Sequence, residues 1–112
     1  MPIDKKMFPH NFIEDLLITG ELPNNISSNE TLQRVENLIE SLSERKSASR
    51  NANARMQNII YLRYVSDLTY KEIGEIIGLS ANRTFQICNQ ALRILKHPSR
   101  LNHFIFKVEE KG

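Results

Sequence analysis

A chain of 112 residues with 40% hydrophobic content can hold one packed domain, or one domain with an appended arm, around a modest core. Its single cysteine, Cys88, excludes an internal disulfide framework and fits a reducing cytoplasm. No apolar run approaches the roughly 18 residues of a membrane span, and the opening residues lack the uninterrupted apolar stretch of a secretory signal. The net charge of +2 is unevenly spread. Residues 1–45 carry four Lys or Arg against eight Asp or Glu, whereas residues 46–101 carry nine against three. That asymmetry suits a basic half facing a polyanion and an acidic half facing elsewhere, although surface charge also clusters by chance.

Glycine is scarce and strand-like alternation is missing, so the expected class is all-α. In chain order, Phe12, Ile13, Leu16 and Leu17 predict a short amphipathic helix over 9–18, closing near Gly20. The stretch 20–29 has turn composition and reads as a linker. Ser27 and Glu30 have the spacing of a capping box. Behind them the stripe Leu32, Val35, Leu38, Ile39, Leu42 predicts a helix to about Arg45. The polar segment 46–53 is either a loop or a solvated helical turn. Residues 1–45 are thus expected to form an acidic helical arm, 46–53 a linker, and 54–105 a compact domain.

Within that domain, Met56, Ile59, Ile60 and Leu62 predict a helix from about Ala54 to Val65, broken at Ser66-Asp67-Leu68. Thr69 and Glu72 form a second candidate capping box, opening a helix to Ile77 that is expected to bury Ile73, Ile76 and Ile77. Gly78 suits a left-handed helix end, with Leu79 folding back on the core. Ser80 is a good N-cap for a helix to about Lys96. Pro98 either ends that helix or begins a last turn carrying Leu101, Phe104 and Ile105. Residues 106–112 are expected to fray.

Residues 69–100 therefore have the form of a helix-turn-helix, with Gly74 where two backbones approach and Gly78 in the turn. On the second helix, Thr84, Ile87, Cys88, Ala91, Leu92 and Leu95 share one face. The opposite face shows Ala81, Asn82, Phe85, Gln86 and Asn89. Asn and Gln can pair with adenine, and Ala or Phe can touch a thymine methyl. Arg83 is placed for a phosphate or a guanine. A solvated polar face is the plain alternative, but Phe85 has no expected core partner; it could equally mark a protein contact.

The run from Thr69 to Arg100 resembles region 4 of the sigma-70 family of bacterial RNA polymerase initiation factors. ALRILKHPSR, Ala91 to Arg100, is similar to the family's ALRKLRHPSR ending, and Ala54 to Gly74 is similar to its REREVLxLRYxxxLTxEEIG block. The resemblance covers residues 54–101. It implies a domain that recognises the promoter −35 element through its second helix and docks on the flap of the polymerase β subunit. It implies DNA contacts at Ser80, Ala81, Asn82, Arg83, Phe85, Gln86, Asn89, Arg93, Lys96 and Arg100. Of these, Arg83 matches a family arginine near the DNA backbone and Gln86 a base-reading glutamine. Polymerase contacts are expected at Ile59, Ile60, Arg63 and Tyr64. The chain departs from the pattern at Ala81-Asn82, where primary sigma factors carry Arg-Glu, and at Phe85, which replaces another arginine. The target sequence therefore differs from the common −35 element, or DNA binding is weak. Region 2, which melts the −10 element, finds no counterpart, and residues 1–45 have no family reading.

Three functions follow. The first is a promoter-binding transcription factor that contacts polymerase, one form being half of a split sigma factor with a separate region 2-like chain. The second is a polymerase-binding appropriator or inhibitor that reads little DNA. The third is a dimeric regulator with the 28–45 helix as its seam. An enzyme is not expected. His10, His97 and His103 are far apart and lack metal-ligand spacing, and His97 is expected as a helix-end or phosphate contact. No cofactor and no membrane partner are implied. Glu36, Glu40 and Glu44 form a solvated or partner-facing stripe, with the protein's own basic half as one candidate partner.

Overall fold

The computed structural model describes residues 8–16 and 27–107, and these form helices connected by short turns. In order they are α1 (His10–Leu16), α2 (Ser28–Glu40), a 3₁₀ turn (Ser41–Glu44), α3 (Arg50–Tyr64), α4 (Tyr70–Ile77), α5 (Ala81–Leu95), α6 (Pro98–Leu101) and a π turn (Asn102–Phe106). No strand occurs among the described residues, and no helix there is long and apolar enough to cross a membrane.

Helix starts follow the local chemistry. The Oγ of Ser27 accepts from the Glu30 amide, that of Ser49 from Ala52, and that of Ser80 from Arg83, each replacing an absent intrahelical partner. At α4 both halves of the capping box form: Thr69 Oγ1 accepts from the Glu72 amide, and Glu72 Oε1 accepts from the Thr69 amide at 2.9 Å. That backbone hydrogen bond holds the Glu72 carboxyl below its ordinary range.

Some boundaries depart from the sequence expectation. Ser28 and Asn29 belong to α2, so the linker expected over 20–29 does not reach Asn29; residues 17–26 lie outside the described set. Helix α2 stops at Glu40 and tightens into the 3₁₀ turn. The second half of the polar segment 46–53 is helix, because the Ser49 cap lets α3 begin at Arg50. Pro98 starts α6 rather than merely ending α5, in keeping with its preset φ. His97 is the cap, its Nδ1 accepting from the Ser99 amide. Of the tail expected to fray, Phe106 is half-buried and packed against the core, while 108–112 lie outside the described residues.

One core joins the described residues. Phe12, Leu16, Val35, Leu38, Ile39, Leu42, Ile59, Ile60, Ile73, Leu95 and Ile105 are at most 2% exposed and belong to a single cluster. The first helices are therefore part of the packed domain. Phe12 of α1 meets Tyr64 of α3 edge-on at 5.2 Å, Asn11 Nδ2 donates to the Tyr64 carbonyl, and Tyr64 OH donates to Asp15 at 2.8 Å. From α2, Arg34 Nη1 donates to the Ile105 carbonyl and so holds the π turn. Glu40 accepts from Tyr61 OH and Gln57 Nε2, so this acid of the stripe meets the basic half through neutral donors of α3. Val35, Leu38, Ile39 and Leu42 of the stripe face the chain's own core, while Leu32 is half-buried.

The turn between α4 and α5 has three residues, Gly78, Leu79 and Ser80. Gly78 is left-handed at φ 80°, and the Gly74 carbonyl accepts from both the Gly78 and Leu79 amides at 2.8 Å. The backbone folds back so tightly that a Cβ on Gly74 would collide with the Leu79 carbonyl oxygen and stand 3.2 Å from Thr84 Oγ1. Ile76, expected in the core, is 62% exposed, because the buried stripe of α4 runs through Ile73 and Gly74. Gly74→Ala should lower stability by about 1–3 kcal/mol, read as a reduced urea midpoint at unchanged m. A midpoint equal to wild type would contradict the close approach.

Candidate nucleic-acid interface

The turn fixes where α5 points. Thr84, Ile87, Cys88, Ala91, Leu92 and Leu95 are all buried, as their spacing predicts. Thr84 Oγ1, the one polar group among them with a hydroxyl, donates back to the Ser80 carbonyl at 2.8 Å and so costs little by burial. With that face committed, the other face is largely open among the described residues. Ser80, Ala81, Asn82, Arg83, Gln86 and Arg93 are exposed, and Asn89 and Lys96 are half-buried. These residues lie along one side of a 15-residue helix, about 22 Å long at 1.5 Å per residue. Toward its N-terminus it carries amides and small residues with Arg83, and toward its C-terminus the cations Arg93 and Lys96.

Arg100 does not share that stripe freely. It is half-buried, and its Nη1 donates to Ser41 Oγ at 2.7 Å, tying α6 to the 3₁₀ turn. Phe85 also differs from expectation. Although 44% exposed, it has a partner, the ring of Tyr70, met edge-on at 5.2 Å. Tyr70 in turn lies beneath the Arg63 guanidinium, 4.7 Å from the ring centroid. Its hydroxyl reaches Cys88 Sγ at 3.9 Å. This stack of Arg63, Tyr70 and Phe85 braces the first turns of α5 against α4 and the end of α3. Burial pushes the Tyr70 hydroxyl up and the Cys88 thiol up, so both stay neutral.

The residues expected to touch polymerase have other work. Ile59 and Ile60 are 0% exposed and Tyr64 is 5% exposed, because α1 and α2 cover the face of α3 that they occupy. They pack the core and cannot form a docking surface in this fold. Arg63 is half-buried, donating to the Leu68 carbonyl at 2.9 Å besides covering Tyr70. It anchors the 65–69 loop, where Asp67 adopts a left-handed φ of 56°. Sequence periodicity missed the roles of Tyr70 and Asn53. Asn53 is 1% exposed, and its Nδ2 donates to the Arg45 carbonyl at 2.9 Å, closing the turn before α3. A polar residue at a core-facing step of the α3 pattern was the available signal.

No group of three or more His, Cys, Asp or Glu residues is arranged to hold a metal among the described residues. Residues 53–97 match the family model described as sigma-70, region 4. The match spans less than half the chain, from the second turn of α3 to the cap of α6. No curated protein and no solved structure matches the chain. This segment is thus similar to sigma-70 region 4, whose helix-turn-helix suggests DNA binding in transcription regulation, and α5 is the second helix of that motif.

Because Cys88 is fully buried and its thiol is held protonated, the folded protein should react with a thiol-specific reagent far more slowly than the urea-unfolded chain. Equal rates would show that the α4–α5 seam opens readily.

Proposed function

We propose that this protein recognises a −35-like promoter element through α5 and contacts RNA polymerase, in the manner of half of a split sigma factor that works with a separate region 2-like chain. The observation carrying the reading is the bare outer face of α5 within a sigma-70 region 4 match. Asn82 and Gln86 stand one helical turn apart, the spacing at which two side chains reach neighbouring base pairs. Arg83 is placed for the backbone or a guanine, and Arg93 and Lys96 for phosphates farther along. Ala81 presents only a methyl, which suits a thymine rather than a guanine. The preferred sequence therefore differs from that of a domain with Arg-Glu at 81–82.

For polymerase, the surface moves away from the buried positions of α3. The exposed large apolar residues of the 54–79 region are Val65, at 54%, and Ile76, at 62%. Together with the half-buried Ile77 they supply what a partner helix such as the β-flap would cover. Tyr70 and Phe85 favour a second reading, in which the protein appropriates or inhibits polymerase and reads little DNA. An aromatic pair half open to solvent at the start of α5 suits a protein partner as well as a base methyl.

Gln86→Ala should leave the fold intact and cost about 1–3 kcal/mol of discrimination at one base pair, seen as relaxed selection from a randomised duplex pool in the presence of polymerase. Unchanged selection argues for the second reading. The full chain should also retain RNA polymerase on an affinity column, and lose it when the β-flap tip is deleted or Ile76 is replaced by Asp. Retention that ignores both changes would sink the flap assignment.

A further inference from the structure

The turn from Arg45 to Ser49 joins the 3₁₀ turn to α3, and it carries an exposed serine, Ser47, among cations. From Arg45 to Arg55 the chain holds four bases, Arg45, Lys46, Arg50 and Arg55, and no acid. Ser47 also lines a cleft of about 230 Å³ between this turn, the start of α3 and the side of α5. Arg45, Arg55 and Arg83 line the same cleft, and no carboxylate does. Arg45 is half-buried and held by neutral partners alone. Its Nη1 donates to Asn53 Oδ1 at 3.4 Å and to Met56 Sδ at 3.6 Å, and its Nη2 to Ser47 Oγ at 3.2 Å. Arg83 donates to Gln86 Oε1 at 3.5 Å. No ion pair reaches any of the three arginines among the described residues. Three converging cations without a counter-charge repel one another, and an anion held among them removes that repulsion.

Ser47 differs from the neighbouring serines in how its hydroxyl is used. Ser49 Oγ accepts from the Ala52 amide as the cap of α3, and Ser43 Oγ donates to the Glu40 carbonyl. Ser47 Oγ accepts from Arg45, and no acceptor takes its proton among the described residues. The side chain stands on an exposed turn that a modifying enzyme can reach, while its oxygen already meets one guanidinium.

We propose that Ser47 is a phosphorylation site, with Arg45, Arg55 and Arg83 as the receptor for its phosphate. The co-reactants are a nucleoside triphosphate and a serine kinase that recognises flanking cations. A bond forms between Oγ and the γ-phosphorus as the bond from that phosphorus to the β–γ bridging oxygen breaks. The nucleoside diphosphate leaves, and the hydroxyl proton passes to the catalytic base of the kinase. The product carries about −1.5 to −2 charge at pH 7. Guanidinium forks match its oxygens in pairs. Arg83 is then engaged in the cleft, and negative charge stands beside the exposed stripe of α5. Phosphorylation thereby weakens the attraction of that stripe for a polyanion, so the turn acts as an off-switch. The switching effect rests on the DNA-binding reading above; the modification site does not.

The test has three arms, all on the full chain. Treatment with an arginine-directed serine kinase and ATP should place phosphate on Ser47, located by tandem mass spectrometry and lost in Ser47→Ala. No modification, or modification confined to Ser43 or Ser49, overturns the site. In the second arm, phosphoserine is installed during translation at position 47, or at position 43 as a control beside Glu40 and Glu44. Phosphorus NMR then follows the second ionisation of each phosphate. At 47 it should titrate about one pH unit lower in the folded protein than in urea, and Arg55→Gln should move it back up. At 43 it should titrate no lower than in urea. Arg55 is exposed, and circular dichroism checks that its variant folds. A phosphate at 47 that titrates alike folded and unfolded, or that ignores Arg55→Gln, overturns the receptor. In the third arm, phosphate at 47 should weaken duplex binding about tenfold by fluorescence anisotropy, and phosphate at 43 much less. Equal losses at the two positions, or none at 47, overturn the switch. Unmodified protein that binds no duplex, alone or with polymerase, overturns the DNA reading, and the phosphorus titration still decides the site.

Discussion

The contact between Gly74 and the Leu79 carbonyl governs the geometry of everything that follows it in the chain. Helix α4 can turn into α5 over three residues only because the backbone passes where a Cβ would otherwise stand. The Gly74 carbonyl accepts two amides from the turn, so the constraint is hydrogen-bonded as well as steric. With the turn fixed, the direction of α5 is fixed, and its rotation follows from the buried stripe of Thr84, Ile87, Cys88, Ala91, Leu92 and Leu95. The Arg63, Tyr70 and Phe85 stack then braces the same corner from the outside. The outer face of α5 is thus held in place by a glycine, a six-residue stripe and an aromatic brace, which limits the ordering cost of any binding there.

The N-terminal helices give this domain its particular character. Alone, residues 54–105 would leave Ile59, Ile60 and Tyr64 with an uncovered face. Helices α1 and α2 bury it with Phe12, Leu16, Val35, Leu38 and Ile39. Polar ties hold the arrangement at each end: Tyr64 to Asp15, Tyr61 to Glu40, Arg34 to Ile105 and Arg100 to Ser41. Burial and hydrogen bonding to Asp15 push the Tyr64 hydroxyl far up, so it remains a donor at any ordinary pH. Of the acids in the first 45 residues, Asp15 and Glu40 are thereby committed to tyrosines of α3.

Local sequence determined the helices of this protein and their caps. Ser27, Thr69, Glu72, Gly78 and Ser80 act within four residues of themselves, so their roles follow from spacing alone. The buried side of α5 was equally legible, because a continuous apolar stripe on a 15-residue helix admits one orientation. What only the tertiary structure decided is which apolar residues are covered and which distant cations meet. Ile76 and Ile59 look alike in a helical pattern, yet one faces solvent and the other is buried by helices that lie far upstream. Arg45, Arg55 and Arg83 have no relation in sequence and converge only when α3 packs on α5. Hydrogen bonds across three or four residues can be read from a chain because the helix itself supplies their geometry. Burial and long-range charge depend on partners the helix does not contain, and these exist only once the chain has packed.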